Sequence, residues 1–144
     1  MDNNKVKHLE FLQVNISRMN QCSFQLKGWS ITIISALLAI YASSINDAGQ
    51  GNAMYIFIAI IPAIIFWFLD SYYLKQERKF RGIYDDIIDK KMINGEEIIK
   101  SFKMPLSNYK GGKYSLLNAM FSITEVLLYL TLIVGLFSAY CLLK

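Results

Sequence analysis

Histidine, cysteine and proline are nearly missing from this sequence, which has one His, two Cys and two Pro in 144 residues. With His8 alone there is no histidine metal cluster and little scope for a nucleophile–histidine relay. Cys22 and Cys141 stand near opposite ends and give neither a disulfide framework nor zinc-ligand spacing. No proline occurs before Pro62, so nothing stops a long helix at the N-terminus, and the lone Gly28 is tolerated. The absence that decides most is charge. Gly28–Asn46, Ala48–Leu69 and Val126–Leu143 contain no Asp, Glu, Lys or Arg.

Each uncharged stretch is close to the ~20 residues that a helix needs to cross a ~30 Å hydrocarbon layer. Spans are expected at about 28–46, 50–69 and 126–143, in a single membrane domain covering 1–144. The overall apolar fraction of 54% is only modestly high, so the clustering of apolar residues carries this reading. No cleavable signal peptide is expected, because the first apolar run begins only at Gly28. Of the 15 Lys and Arg, Lys5, Lys7, Arg18 and Lys27 precede the first span and Lys144 alone follows the third; the others lie between spans two and three. The positive-inside rule then puts residues 1–27 and 70–113 in the cytoplasm. The Asp47–Asn52 connector and the C-terminus fall on the periplasmic or extracellular side. Direct nucleic-acid binding is not expected, because acids such as Asp70, Glu77, Asp85 and Glu97 share the basic central segment.

The apolar pattern continues beyond the spans. Leu9, Leu12, Ile16, Met19, Ser23 and Leu26 recur at three and four, a stripe on an amphipathic helix. One helix from about Lys5 to about Ile45 is expected. Leu69, Tyr73, Phe80, Ile83, Tyr84 and Ile87 carry a similar stripe out of the second span. The fold class is therefore an all-α membrane protein with long amphipathic cytoplasmic extensions of helices 1 and 2, packed as an antiparallel hairpin. Leu12, Ile16 and Met19 would face Tyr73, Phe80 and Tyr84. Asn94 and Glu97 resemble a capping box for a short helix ending near Phe102. Ser107–Lys113 reads as a loop, and the third helix should begin near Tyr114. Ser35, Ala39 and Ser43 form a small-residue ridge suited to helix packing. Pro62 predicts a kink. Trp29, Trp67 and Tyr140 take aromatic-belt positions.

Few residues carry chemistry. Glu125 sits at the edge of the third span, where a carboxylate needs a cationic partner or water; the better reading is an interfacial residue about one turn inside the lipid boundary, paired with a Lys or Arg, and a pore-lining or gating charge is the sharper alternative. Lys27 and Asp70 flank the cytoplasmic ends of their spans and should lie at one depth, so a Lys27–Asp70 contact, or Arg18–Glu77, would fix helix register. Glu77 and Arg81 stand at i,i+4 in the favourable order. Arg78 and Arg81 read as a wet basic face near an anionic leaflet. Asp85-Asp86-Ile87-Ile88-Asp89 matches a diphosphate–magnesium motif but lacks its second acidic motif, so a solvated face is the better reading. His8 is expected to be exposed. The interaction or gating candidates are thus Arg18, Lys27, Asp70, Glu77, Arg78, Arg81 and Glu125. No catalytic, cofactor or metal site is expected, and the protein does not read as an enzyme.

Two stretches carry a resemblance. Arg18-Met-Asn-Gln-Cys-Ser-Phe-Gln-Leu-Lys-Gly-Trp29 runs into the first span. Phe66-Trp-Phe-Leu-Asp-Ser-Tyr-Tyr-Leu-Lys-Gln-Glu-Arg-Lys-Phe-Arg-Gly-Ile-Tyr-Asp85 runs out of the second. Both resemble small multi-span membrane accessory proteins of bacterial antiviral loci, those accompanying RNA-targeting CRISPR nucleases and the adenosine-deaminase defence system RADAR. The resemblance implies an accessory or effector protein of the bacterial inner membrane, without enzymatic activity and without assigned residue roles. Independently, three short spans bury little surface alone, so a homo-oligomer in the lipid bilayer is expected, with a pore between subunits. The alternative is a membrane anchor or regulatory module whose cytoplasmic hairpin docks a soluble partner.

Overall fold

The computed structural model describes residues 3–46, 51–52, 54–89, 92–93, 96–97, 99 and 102–142. Helix α1 runs Asn3–Ser43 and α2 runs Met54–Ile88. A two-residue antiparallel ladder follows, Met92–Ile93 with Glu96–Glu97. Short 3-10 turns at Leu106–Asn108 and Gly112–Tyr114 lead to α3, Leu116–Met120, and α4, Ile123–Leu142. Helices α1, α2 and α4 are each long and apolar enough to span a membrane.

The stripes of the sequence become the packed faces, apart from Leu69, which is 38% exposed. On α1 the buried positions are His8, Leu12, Ser23, Leu26, Ser30, Ile34 and Tyr41, one face of a 3.6-residue repeat. They lie along α2, whose buried positions include Ile56, Ala59, Ala63, Asp70, Ser71, Gly82, Ile83 and Ile87. At 1.5 Å per residue, the 41 residues of α1 reach about 60 Å, twice the hydrocarbon thickness. The pair therefore holds two separate apolar cores. One joins Ile34, Tyr41, Ile56, Ala59, Ala63 and Leu136. The other joins Leu12, Ile83, Ile87, Ile99 and Tyr109. Helix α4 packs chiefly on α2 and meets α1 only slightly. The ridge of Ser35, Ala39 and Ser43 faces outward, away from both cores.

The second core has a lid drawn from Ile99 and residues 102–114. Tyr109 and Tyr114 meet edge to face at 5.2 Å over the backbone of Gly82. A Cβ there would stand 2.5 Å from the Tyr114 hydroxyl and 2.8 Å from Tyr109 Cε1, so only glycine fits. Gly111 and Gly112 adopt φ of +68° and +47°, left-handed geometry that turns the chain back toward α3.

Several expectations need correction. The third long helix does not begin near Tyr114, because the chain breaks between α3 and α4 at Phe121–Ser122. Ser115 caps α3 by accepting the Asn118 N–H at 3.1 Å. At its other end the Trp67 indole N–H donates to the Met120 carbonyl at 3.1 Å, and Arg78 reaches the Asn118 carbonyl at 3.4 Å. Side chains of α2 thus satisfy carbonyls that a continuous helix would have used. Glu96–Glu97 pair as a strand where a short helix was expected. The strand pairing sets Met92 opposite Glu97 and Ile93 opposite Glu96. The Asn94 cap itself, the connector residues 47–50, Lys90, Lys91 and Leu143 fall outside the described residues. His8 is 2% exposed, since the lid covers it. Its Nδ1 accepts the Phe102 N–H at 3.3 Å, and the two rings stand 5.8 Å apart.

Candidate functional site

Between the two apolar cores lies a polar layer to which each of the three long helices contributes. Ser23 and Lys27 are one turn apart on the inner face of α1. Asp70 stands on α2, and Glu125 and Tyr129 are one turn apart on α4. The Lys27 ammonium donates to Asp70 Oδ2, to Glu125 Oε1 at 2.8 Å and to Ser23 Oγ at 2.9 Å. Ser23 in turn donates to Asp70 Oδ1. The Tyr129 hydroxyl donates to Asp70 Oδ2 at 3.1 Å. Trp67 stacks on the Tyr129 ring at 6.1 Å and so holds that hydroxyl in place.

Burial is unequal across the layer. Asp70 is fully buried and Glu125 is 1% exposed, whereas the Lys27 side chain keeps 25% of its surface. Lys27 is therefore the member of the trio whose side chain reaches the outside. Both carboxylates are out of water, where a charge is costly unless paired and hydrogen-bonded. Asp70 meets that need with three donors. Glu125 has one donor, on Oε1, and its buried Oε2 has no hydrogen-bond partner.

Apolar exposure continues on the far side of this layer. Phe24, one turn from Lys27, is 76% exposed; Phe121, one turn from Glu125, is 67% exposed, and Ile123 is 85% exposed. Aromatic and branched side chains open to the surroundings on both sides of an ionic layer suit lipid better than water. The trio is thus flanked by exposed apolar side chains, and a buried ionisable cluster in a bundle of membrane-length helices is a candidate functional site.

The remaining candidates separate. Lys27 and Asp70 meet as expected, and Glu125 joins them. Arg18 does not reach Glu77: it lines a shallow groove of about 520 Å³ on α1 with Glu10, Gln13, Val14, Ser17 and Gln21. Glu77 pairs instead with Arg81 within α2 at 2.7 Å, because the i,i+4 spacing outcompetes a reach across helices. Arg81 is largely exposed, as the wet-face reading required. Arg78 is not a free surface charge. Its guanidinium also donates to the Lys113 carbonyl at 3.3 Å, Asn118 Oδ1 at 3.1 Å and Ser122 Oγ at 3.0 Å, where it ties the lid and α3 to α2. In the acidic run, Asp86 accepts the Tyr109 hydroxyl at 2.6 Å. Burial, and then the Asp86 carboxylate, push that phenol above its usual range.

Ser23, Trp67 and Tyr129 were not among the candidates. Ser23 and Tyr129 each stand four residues from a charged member of the trio, so an i,i+4 search for polar neighbours on the same face would have found them. Trp67 had no such signal beyond its aromatic-belt position. Comparison with protein-family models, curated proteins and solved structures finds no match to this chain.

Proposed function

We propose that this is a non-enzymatic effector or accessory protein of the bacterial inner membrane, acting in antiviral defence as a homo-oligomer. Its N-terminus lies in the cytoplasm and its C-terminus on the periplasmic or extracellular side. The lidded core of α1 and α2 is then a cytoplasmic head that receives a soluble partner. The Lys27–Asp70–Glu125 layer is a latch that holds the three-span bundle closed until that happens. One observation carries the reading: the ion trio ties α4 to α1, two helices that otherwise touch slightly. The outward ridge of Ser35, Ala39 and Ser43 supports self-assembly, since small residues let helices approach closely in lipid. The resemblance of residues 18–29 and 66–85 to membrane accessories of antiviral loci supports the cellular role, and the charge bias supports the orientation.

Ion flux through proteoliposomes tests the reading. The wild-type protein should be nearly tight and Lys27→Met leaky, because the substitution removes the latch. A second reading, a membrane anchor that docks a soluble partner without permeation, is favoured by the head having a core of its own. Tight liposomes for both proteins, together with co-purification of a cytoplasmic partner, would select that anchor. Equal leakage from both would remove the latch.

A further inference from the structure

The layer contains one ammonium and two carboxyl groups, and their hydrogen bonds are shared unequally. Asp70 accepts three donors, from Lys27, Ser23 and Tyr129. Glu125 shares only the ammonium, and its Oε2 is buried without any donor. Both carboxyl groups touch the same Nζ, so they lie close together, and two carboxylates sharing one buried site do not ionise together cheaply. The groups that face Glu125 are Lys27 from α1, Asp70 from α2 and Tyr129 from its own helix. Lys27 is thus the cation available, and Asp70 already takes its charge.

We propose that the trio is a proton-binding site, with one proton held on Glu125 so that Lys27 and Asp70 form the charged pair and the layer as a whole is neutral. A second ion is not needed to fill the site, because the proton turns the bare oxygen into a hydroxyl beside the Asp70 carboxylate. Loss of that proton would set two negative charges against one ammonium and loosen α4 from α1. This deepens the latch reading and rests on the buried layer, but not on permeation or on any partner.

Infrared spectroscopy of the full-length protein in lipid bilayers near neutral pH tests it. The wild type should show the carbonyl stretch of a protonated carboxylic acid, shifting in heavy water. Glu125→Gln should lose that band and keep the fold, since the amide is isosteric with the protonated acid. Asp70→Asn should lose it too, because Glu125 must then ionise to balance Lys27. No band in the wild type, or a band undiminished in either variant, overturns the proposal. Should Glu125→Gln fail to fold, the wild-type and Asp70→Asn spectra still decide. The band does not depend on ion flux, so failure of the permeation test and failure of the proton site are separately visible.

Discussion

Replacing Lys27 with Met preserves the unbranched stem and removes only the ammonium. In the wild type that ammonium serves Asp70, Glu125 and Ser23 at once, and both carboxyl groups are buried. Removing one partner of a buried ion pair costs about 3–5 kcal/mol, most of it from the charge left behind. The lower end, about 3 kcal/mol, is expected here, because Lys27 is 25% exposed and Asp70 retains Ser23 and Tyr129 as donors. Glu125→Gln should cost little by comparison, since it removes a group with a bare oxygen. The triple change Lys27→Met, Asp70→Asn and Glu125→Gln should then recover most of the loss, as buried ion groups often exchange for neutral ones at no net cost. Reversible unfolding in mixed detergent micelles measures all three. A Lys27→Met variant within about 1 kcal/mol of wild type would refute the reasoning, because that is the value of an exposed pair.

Arg78→Ala should destabilise by about 1.5–3 kcal/mol, the loss of charge-assisted bonds to three residues, whereas Arg81→Ala should cost only about 0–1 kcal/mol; equal effects in the same unfolding assay would remove Arg78 as the tie between the lid and α2. Gly82→Ala should cost about 1–3 kcal/mol by overpacking against Tyr109 and Tyr114, and should raise proteolysis within 99–114; an unchanged cleavage pattern would contradict the close seating. His8 makes the head sensitive to acid. Burial lowers its pKa from the ordinary 6.5, partly offset by the Lys103 backbone, so the unfolded chain takes up the proton first as pH falls. Its contribution to stability is then full above 6.5 and is lost as pH drops below that value. His8→Gln should flatten this acid limb in a pH series of melting temperatures, and an unaltered limb would show that other groups set it.

What could be read beforehand was what local pattern determines. Gaps in charge and stripes at three and four placed α1 and α2 to within a few residues, because burial of a helix face is written in its own repeat. Lys27 and Asp70 could be paired because each stands at the end of an uncharged run, which sets their depths. The participation of Glu125 depended on how α4 rotates against α2, and rotation is decided by packing that no single segment encodes. The break before α4 rests on Trp67 and Arg78, whose partners Met120 and Asn118 lie 53 and 40 residues away in sequence. His8 was misplaced for the same reason, since the lid that buries it arrives from residues more than ninety positions later. Such contacts are tertiary, and a propensity for local structure does not register them.

The central claim is that one ammonium joins three spans within the bilayer. Solid-state NMR on protein in lipid bilayers, with ¹⁵N in lysine and ¹³C in the carboxyl groups of Asp and Glu, measures it through dipolar couplings at Lys27 Nζ. Asp70→Asn and Glu125→Gln assign the two partners. The account requires strong couplings from Nζ to both carboxyl carbons, at ion-pair separations of about 4 Å or less. A Lys27 signal coupled to Asp70 alone, or to neither, would contradict it.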